Sequence, residues 1–365
     1  MLATDWTRPL LVATAVCLGC GNDSGGPSDY TGPGKTLKVM TRNVYFGAEV
    51  DASLAVSTPE QIAPAVAGLW TAVQQSDFPG RVKLLVDEVV AAQPDIIAFQ
   101  EMELFRTQSP SDFAPGASPN AQDVAPNGDL LAIMQGELAS RGLDYGEPVL
   151  VDPHTDIELP SVDASGAVYD LRMTDRNVVF VRPSISASNP RGQDFASSFR
   201  VPVAGLESGI SVTLTRGFGA VDLLADGVPF TFVNTHLEVE GFASVQQGQA
   251  QNLLDALAPI SGQVILAGDF NSAADGSTTT TYHMVTQTFS DAWPKLNTTD
   301  PGFTCCTDIN AAALTPTERI DLVLYRGKVR PEAGSLVGLD ASARTAGGLL
   351  PSDHLGLVTT LTVGQ

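Results

Sequence analysis

The sequence predicts an α/β protein in which two mixed β-sheets pack face to face with helices outside. Short apolar runs that end in polar side chains recur along the chain, as buried strands followed by loops do. Segments with helical spacing of apolar residues alternate with these runs, and in places several strand patterns follow one another directly. The polar strand ends are spread from position 43 to position 354 of 365 residues, so we expect one domain.

The first predicted elements are a strand and two helices. The strand covers 37–43 and delivers Asn43 to a loop. Thr58 precedes a segment over 59–73 whose apolar residues share one face, which predicts a capped helix packed on the core. A second helix is predicted over 81–92 and ends before a proline.

A second strand, over 95–101, ends in Glu101. Burying a carboxylate at the end of such an apolar run is costly unless a cation or hydrogen bonds compensate it, so Glu101 is a candidate metal ligand. The segment 107–128 is rich in Pro, Ser, Ala, Asn and Asp, which predicts a long surface loop and possible lid over the substrate. A helix is expected over 130–141.

The second half of the chain is richer in strand patterns. A strand is predicted over 177–181, whereas 184–209 is rich in Ser, Pro and Gly and shows only a weak pattern. Further strands are predicted over 211–215, 221–225, 230–234, 264–269 and 320–325, with a helix over 246–257.

The run from Val264 to Ala267 is closed by Gly268, so Asp269 and Asn271 are expected at the end of a buried strand. Other predicted strands end in the same way. The polar residues at or near these ends are Asn43, Glu101, His236 and Asp321, and Ser352-Asp353-His354 follows near the C-terminus. Convergence of these side chains is typical of a metal-dependent hydrolase rather than of a core.

The chain is strongly acidic, with a formal net charge of -21 from 20 Lys and Arg against 41 Asp and Glu. Such a charge repels long polyanions unless a basic patch or divalent cations intervene. It argues against tight nucleic-acid binding but does not exclude a nuclease that contacts its substrate through a metal.

The four cysteines form two close pairs, Cys17 with Cys20 and Cys305 with Cys306. They are too few and too clustered for a disulfide framework, and neither pair has the spacing of zinc ligands. Adjacent cysteines form either a ring disulfide or two free thiols, and the sequence leaves both open. Export would favour the disulfide, as a staple of a turn near the site.

The N-terminus predicts an export signal. An apolar run over 10–19 is too short to span a bilayer and fits the apolar part of a signal peptide. Leu18-Gly19-Cys20 resembles a bacterial lipobox, which predicts lipidation of Cys20; cleavage and secretion without lipid is the alternative. The predicted segments are the signal peptide over 1–20, a flexible tether over 21–35 and the folded domain over 36–365.

Six short motifs follow one another along the chain. They are Thr41-Arg42-Asn43, Gln100-Glu101, Asn234-Thr235-His236-Leu237, Gly268-Asp269-Phe270-Asn271, Arg319-Ile320-Asp321 and Ser352-Asp353-His354. Together they resemble the endonuclease/exonuclease/phosphatase superfamily over about residues 36–363. The resemblance implies a four-layer α/β/β/α sandwich that hydrolyses phosphate esters with a divalent cation. The long insertion over 45–80 and the Cys305-Cys306 pair resemble secreted bacterial members of the superfamily, and more distantly bacterial sphingomyelinases, rather than the deoxyribonuclease branch.

The resemblance implies a metal site formed by Asn43, Glu101 and Asp353. Their hard oxygen ligands suit Mg²⁺, with Mn²⁺ or Ca²⁺ as alternatives. Read from its residue type alone, Asn43 is also consistent with a turn, since Asn favours such positions.

The resemblance also implies catalytic roles. Asp269 would orient or deprotonate the attacking water, and Asn271 would hydrogen-bond the phosphate. His354 would contact the scissile phosphate or act as acid or base, with Asp321 fixing its tautomer through the other ring nitrogen. His236 would be the opposite imidazole.

Each of these residues also has a structural interpretation. Asp321 could cap a helix or turn, and His236 and His354 could be satisfied core histidines, although a buried imidazole beside several carboxylates is commonly functional. The other two histidines, His154 and His283, lie outside the motifs, and we expect them to be surface or structural residues.

Two arginines near the middle of the chain have two interpretations. Arg172 and Arg176 could clamp a phosphate or pair at the surface with the nearby Asp170 and Asp175. We favour the surface pairing.

The sequence as a whole predicts an exported, lipid-anchored phosphodiesterase that uses direct attack of water without a covalent intermediate. The substrate is left open among nucleic acid, a phospholipid headgroup and a small phosphodiester. A non-catalytic, surface-anchored binding lipoprotein that retains the fold is the alternative, and the two motif histidines and many carboxylates argue against it. We expect a monomer at the periplasmic or cell-surface membrane, or otherwise a secreted protein.

Overall fold

The computed structural model describes residues 30–48, 50, 56–204 and 208–365. The predicted signal peptide, Cys20 and most of the predicted tether lie outside this part of the chain. Among the described residues, no helix combines the length and the apolar character needed to cross a bilayer. The folded part begins with a strand at Gly34, two residues before the predicted domain start.

Sixteen strands and six α-helices are described. The strands are β1 (Gly34–Asn43), β2 (Ile96–Gln100), β3 (Leu104–Gln108), β4 (Asp123–Asp129), β5 (Leu150–Val162), β6 (Val168–Val181), β7 (Ile185–Asp194), β8 (Phe199–Pro202), β9 (Ser211–Leu214), β10 (Gly217–Ala225), β11 (Val228–His236), β12 (Val264–Asp269), β13 (Ser290–Asp291), β14 (Asp321–Arg326), β15 (Val329–Val337) and β16 (Gly356–Gly364). The helices are α1 (Ile62–Gln75), α2 (Phe78–Ala92), α3 (Leu130–Ser140), α4 (Ala243–Leu257), α5 (Thr281–Thr286) and α6 (Trp293–Leu296).

The strands form two large mixed sheets and a small ribbon. The first sheet has the order β15-β16-β1-β2-β6-β3-β4, with β5 also paired to β6, and the second has the order β13-β14-β12-β11-β10-β7. Strands β8 and β9 pair only with each other. The β1–β2 and β11–β12 pairs are parallel, and their neighbours in the sheets are antiparallel.

Alternation along the strands builds the four layers. In β1, Val39 joins the apolar core between the sheets, whereas its neighbour Met40 joins the core under α1 and α2. In β12, Ile265 faces the first sheet and Leu266 packs with the residues of α4. Each sheet therefore buries both faces, which confirms the predicted α/β/β/α sandwich.

The structure adds detail to two segments whose sequence pattern is weak or typical of a loop. The segment 184–209 contains β7, an edge strand of the second sheet, and β8. Most residues of β7 are exposed, so it lacks the apolar alternation that marks a strand in sequence. The predicted loop over 107–128 is confirmed over 109–122, between the end of β3 and the start of β4, and its role as a lid stays a prediction.

The register brings the polar strand ends to one edge of the sandwich. In the parallel pair β11–β12, His236 stands opposite Asp269, and in the antiparallel pair β12–β14, Asp321 also stands opposite Asp269. In the first sheet, Asn43 stands opposite Gln100 at the ends of β1 and β2.

A buried polar bridge joins the two sheets beneath this edge. Gln100 Nε2 donates to Asn234 Oδ1 at 2.7 Å, and Asn234 Nδ2 donates to the carbonyls of Phe99 at 3.0 Å and Val178 at 3.1 Å. Both amide side chains are fully buried. A buried amide is costly without hydrogen-bond partners, and these amides find theirs on the opposite sheet. The bridge therefore fixes the position of one sheet relative to the other.

Candidate active site

A cavity of about 250 Å³ opens at the edge where these strands end. It brings together all the predicted site residues except Asp321, which lies behind His354. Those lining the cavity are Asn43, Glu101, His236, Asp269, Asn271, Asp353 and His354.

Asp269 lies at the centre of the site and is almost completely buried. Its Oδ2 accepts a hydrogen bond from Asn43 Nδ2 at 3.1 Å and lies 3.6 Å from His236 Nε2 and 3.8 Å from His354 Nε2. Its Oδ1 accepts from the backbone N–H of Asn271 at 2.9 Å. One carboxylate therefore lies within reach of both imidazoles.

Burial raises the pKa of Asp269 to about 6, and the neighbouring carboxylate of Asp321 adds to this effect. The hydrogen bonds that Asp269 accepts act in the opposite direction. A carboxylate with a pKa near the working pH is suited to accept a proton from water and release it again.

His354 is held by Asp321. Its Nδ1 lies 2.8 Å from Asp321 Oδ2, which leaves Nε2 as the ring nitrogen free of that partner. Burial opposes charging of this imidazole, but Asp321, Asp353 and Asp269 outweigh it and raise the pKa of His354 well above its usual value. These carboxylates therefore favour the charged form of the imidazole, which suits a group that contacts a phosphate.

His236 has the opposite electrostatic environment. Its Nδ1 lies 3.2 Å from Arg216 Nη1 and its Nε2 lies 3.2 Å from Asn271 Nδ2; both neighbours are donors, so a neutral His236 accepts from one of them according to its tautomer. Burial, followed by the charge of Arg216, lowers the pKa of His236 well below its usual value. The surroundings of the two imidazoles thus act in opposite directions: those of His236 disfavour its charged form, and those of His354 favour it.

Asn271 is placed by its backbone and its side chain together. Its φ of 47° lies in the left-handed region, which Asn tolerates better than most residues. Its Nδ2 donates to the carbonyl of Leu237 at 3.0 Å and lies 3.2 Å from His236 Nε2. The carbonyl of Asn271 accepts from Gln246 Nε2 at 2.6 Å, so α4 helps to fix the loop.

Glu101 and Asp353 form the acidic side of the cavity. Burial, together with the nearby charge of Asp353, raises the pKa of Glu101 to about 7. Glu101 accepts from Asn43 Nδ2 and from the backbone N–H of Phe46, each at 2.9 Å. Two carboxylates that disfavour each other's charge in a buried site fit a divalent cation.

The amide of Asn43 does more than the metal role predicted for it. Its Nδ2 donates to both Glu101 and Asp269, while its Oδ1 accepts from the backbone N–H of Tyr45 at 2.9 Å. Asn43 therefore aligns the two carboxylates, and its participation as a metal ligand stays a prediction.

Asp269, Asp321 and His354 have possible ligand atoms within 4.8 Å of one another. In this group, however, His354 Nδ1 is already hydrogen-bonded to Asp321. The arrangement is that of a carboxylate orienting an imidazole rather than of a ligand set.

Two buried arginines to which the sequence analysis gave no role hold the loops of the site. Arg81 donates to the carbonyls of Val44 at 2.8 Å, Tyr45 at 2.6 Å and Pro351 at 2.9 Å. Arg42 pairs with Glu88 at 2.9 Å and donates to the carbonyl of His354. Arg81 lies on α2, and Arg42 is paired with a glutamate of α2. These hydrogen bonds therefore connect α2 to the loop after β1 and to the loop that contains His354.

The predicted roles of Arg172 and Arg176 need correction. Arg172 pairs with Asp156 at 2.6 Å and Arg176 with Asp129 at 2.7 Å, so neither of the predicted partners, Asp170 and Asp175, is used. Arg176 is also buried rather than at the surface, and in the interior it donates to backbone carbonyls. Neither arginine lines the cavity.

The basic residue that does line the cavity is Arg216, which the sequence analysis missed. Its Nη1 contacts Asp175 Oδ2 at 2.8 Å as well as His236, and Glu103 and Glu238 line the same part of the cavity. No local pattern marks Arg216 in the sequence, since it lies in the short turn between β9 and β10.

The chain matches the profile of the endonuclease/exonuclease/phosphatase family over residues 43–354. This match begins at Asn43 and ends at His354, so it spans all the residues of the cavity discussed above. No curated protein matches the chain.

Several solved structures share the fold. An endonuclease/exonuclease/phosphatase from Beutenbergia cavernae is 22% identical, with a TM-score of 0.54 over 90% of this chain and 72% of the other. A family protein from Bacteroides thetaiotaomicron is 14% identical, with a TM-score of 0.53 over 92% and 97% of the two chains. A humanized D. rerio TDP2 with 14 mutations is 14% identical, with a TM-score of 0.51 over 90% and 99%.

Proposed function

Because the chain belongs to the endonuclease/exonuclease/phosphatase family, we propose that it is a metal-dependent phosphodiesterase that uses direct attack of water. The observation that carries this proposal is the position of Asp269 Oδ2, which lies 3.6 Å and 3.8 Å from the Nε2 atoms of His236 and His354. In this arrangement a base lies between two hydrogen-bond donors. The base can activate a water molecule, and the donors can stabilise the negative charge of the phosphate beside it.

Each of these side chains has a role in the proposed reaction. Asp269 accepts the proton of the attacking water, and its raised pKa makes it a stronger base than an exposed aspartate. The protonated His354 donates through Nε2 to phosphate oxygens, and His236 does the same in the tautomer that carries its proton on Nε2. Asn271, whose Nδ2 donates to the carbonyl of Leu237, is the phosphate-binding amide at the same face. Asp321 keeps the His354 ring in the orientation that points Nε2 to the cavity.

Glu101 and Asp353 are the residues that would hold the divalent cation. A bound Mg²⁺ supplies positive charge to the nonbridging and leaving oxygens of the phosphate. We favour Mg²⁺ over Mn²⁺ and Ca²⁺ because few protein ligands converge at this site, and Mg²⁺ keeps several waters.

The lining of the cavity favours a substrate with a single phosphate group. Beyond the catalytic residues, the carboxylates of Glu103, Asp175 and Glu238 line the cavity. Among the described residues of this lining, Arg216 is the arginine beside them. Phosphates next to the scissile one in a polynucleotide would approach these carboxylates and be repelled. We therefore propose a phospholipid headgroup or a small phosphodiester ahead of long duplex DNA.

The location of the protein is part of the proposal. The apolar run over 10–19 and the motif ending in Cys20 support export and lipidation, with the enzyme held as a monomer at the membrane surface by its N-terminus. Membrane fractionation of cells that express the full chain tests this. A Cys20→Ala variant should move to the soluble exported fraction, whereas unchanged membrane retention would contradict the anchor.

The activity is tested with purified protein and three substrates: bis-(nitrophenyl)phosphate, sphingomyelin and plasmid DNA. We expect hydrolysis of at least one in Mg²⁺, its loss with a chelator, and its loss in an Asp269→Asn variant, which keeps the shape of the side chain. If no substrate is hydrolysed with Mg²⁺, Mn²⁺ or Ca²⁺, the non-catalytic binding lipoprotein becomes the better hypothesis. A chiral phosphorothioate diester should be inverted at phosphorus, and retention would contradict direct attack of water.

A further inference from the structure

The Cys305–Cys306 pair lies at the cavity beside His354. The two cysteines are joined as a disulfide, the first being buried and the second exposed where it lines the cavity. Both sulfur atoms and a ring nitrogen of His354 lie within 4.8 Å of one another. None of the steps proposed above uses the two sulfurs.

Backbone hydrogen bonds hold this pair in register with the His354 loop. The carbonyl of Thr304 accepts from Leu355 N at 2.7 Å, and Thr307 N donates to the carbonyl of Asp353 at 2.8 Å. The residues on each side of the cysteine pair are thus bonded to those on each side of His354. On the opposite side, the first cysteine exchanges two backbone hydrogen bonds with Glu318, at 2.9 and 3.0 Å. The sulfurs are therefore kept near the imidazole by the chain on both sides.

We propose that this disulfide is reducible in the folded protein and that its dithiol form, with His354, binds a thiophilic divalent cation such as Zn²⁺. Two thiolates and an imidazole are preferred ligands of Zn²⁺, whereas the sulfurs of a disulfide are not thiolates. The cavity then offers two cation sites of different chemistry. Carboxylate oxygens suit Mg²⁺, and the sulfur and imidazole ligands suit Zn²⁺.

The chemistry balances with a dithiol as reductant. The reductant supplies two electrons and two protons, the Cys305–Cys306 S–S bond breaks, two S–H groups form, and the reductant becomes a disulfide. When Zn²⁺ binds, the two thiols and the protonated imidazole of His354 release three protons in all, and two Zn–S bonds and one Zn–N bond form.

The distances are close to those of a zinc site. In tetrahedral coordination with Zn–S near 2.3 Å and Zn–N near 2.1 Å, ligand atoms lie roughly 3.5 to 3.8 Å apart. The three atoms are already within 4.8 Å, and opening the disulfide lets the sulfurs separate. Because Cys306 is exposed at the cavity, both a reductant and a cation can reach the pair.

One consequence rests on the proposed function. If His354 contacts the phosphate, its capture by Zn²⁺ removes that contact, and hydrolysis should stop until the cation is chelated or the disulfide re-forms. The site would therefore make the enzyme sensitive to zinc only after reduction.

Binding is tested without any activity, using Co²⁺ as a spectroscopic probe of the full chain after reduction with a phosphine. We expect a thiolate-to-cobalt charge-transfer band that saturates at one Co²⁺ per cysteine pair and is absent from the oxidised protein. The Cys305→Ser/Cys306→Ser variant controls for Cys17 and Cys20, since it keeps that pair, and the Cys17→Ser/Cys20→Ser variant should retain the band. A reduced wild-type chain whose spectrum equals that of the first variant would overturn the site, as would a disulfide that resists reduction while the protein remains folded.

The role of His354 as a ligand is tested with the His354→Ala variant in the same titration. Loss of one protein ligand should weaken Co²⁺ binding about 10-fold or more and change the ligand-field bands. Unchanged affinity and spectrum would remove His354 from the site. Because this measurement needs no turnover, it separates failure of the metal site from failure of the proposed activity.

Inhibition is the second readout. The zinc concentration that halves hydrolysis should be about 10-fold or more lower for the reduced enzyme than for the oxidised enzyme. Each variant is compared with its own activity without zinc, and the Cys305→Ser/Cys306→Ser variant should show no difference between reducing and oxidising conditions. Equal inhibition of reduced and oxidised wild-type enzyme would contradict the proposal.

Discussion

His354 and His154 are both buried and both held by aspartates, but only the first opens onto the cavity. In the active-site region, Asp321 occupies Nδ1 of His354 at 2.8 Å. The Nε2 of His354 lies 3.8 Å from Asp269, far enough to leave room for a hydrogen bond to substrate.

The region around His154 uses the same residue types with both nitrogens occupied. Nδ1 lies 2.9 Å from Asp194 Oδ1, and Nε2 lies 3.0 Å from Asp152 Oδ2, in an ion pair whose angle is not that of a hydrogen bond. The backbone closes over the ring, since a Cβ at Gly217 would lie 2.3 Å from the His154 ring. His154 thus links β5 with β7 and β10, and it is a structural residue, as one of the two predicted alternatives had it.

The comparison shows that a raised pKa does not by itself mark a functional histidine. Burial alone lowers the pKa of His154, but Asp152 and Asp194 outweigh it and raise the pKa to about 9. The aspartates around His354 raise its pKa in the same way. What distinguishes the two regions is the free nitrogen that faces a cavity, and this difference can be tested residue by residue.

The largest effect is expected from His354→Ala. Loss of a cationic donor to the phosphate should lower kcat/KM by about 10³-fold while the protein stays folded. Steady-state kinetics, with circular dichroism and a thermal melt of the same preparation, measure both quantities. Near wild-type kcat/KM would remove His354 from catalysis.

The next effect is on stability, from His154→Ala. Removing the imidazole leaves two aspartates without their partner, and we expect the free energy of unfolding to fall by about 3 kcal/mol. The kcat of the folded fraction should stay within about 3-fold of wild type, because nothing at the cavity is removed. Urea unfolding and kinetics on one preparation give both values. A large loss of kcat without loss of stability would reverse the roles of the two histidines.

The pH dependence of stability sharpens the same comparison. Since the pKa of His154 is raised from 6.5 to about 9 by folding, the folded state binds the proton more tightly than the unfolded state. Its contribution is therefore complete below about pH 6.5 and is lost as pH rises to about 9. Wild type should lose about 3 kcal/mol more stability across this window than His154→Ala, as measured by urea unfolding at each pH. Parallel pH curves for the two proteins would contradict the charged pair.

A smaller effect is expected from Asp321→Asn, which keeps the shape of the side chain but removes its charge. The amide no longer stabilises the imidazolium of His354, so kcat should fall by about 10- to 100-fold with the fold intact. The pH–rate profile should also move to lower pH on the limb assigned to His354, because the neighbouring negative charge is gone. An unchanged profile would show that Asp321 does not act through His354.

The smallest effect is expected from His283→Ala. His283 is exposed on α5, outside both histidine regions. The change in unfolding free energy should stay within about 0.5 kcal/mol, and kcat/KM should be unchanged. This variant is the matched control for the other histidine variants, and a clear loss of activity would indicate a surface role that the structure does not show.

Much of the fold was predictable because buried strands leave a local pattern. The strands that end in Asn43, Glu101, His236 and Asp269 were found within a few residues, since apolar runs and alternation follow from the two-residue repeat of a strand. Strand β7 was missed because it lies at an edge with most of its side chains exposed, so its place is decided by hydrogen bonds to β10.

The site was predictable in its motif residues but not in its supports. The motifs place Asp269 and His354 at strand ends, and the structure brings them to the same cavity. Arg216, Arg81 and the Gln100–Asn234 bridge act through contacts with residues far away in sequence. Such contacts leave no periodic signal.

The sequence by itself determined the layered α/β architecture, the polar ends of the buried strands and the acidic charge. These depend on the repeat of neighbouring residues along one strand or helix and on composition. Only the tertiary structure decided that the surroundings of His236 lower its pKa and those of His354 raise it, that His154 is sealed between two aspartates, and that an adjacent cysteine pair lies beside His354. The physical reason is that charge state and ligand geometry depend on which distant groups meet and how deeply they are buried, and distance in space is not encoded in local spacing.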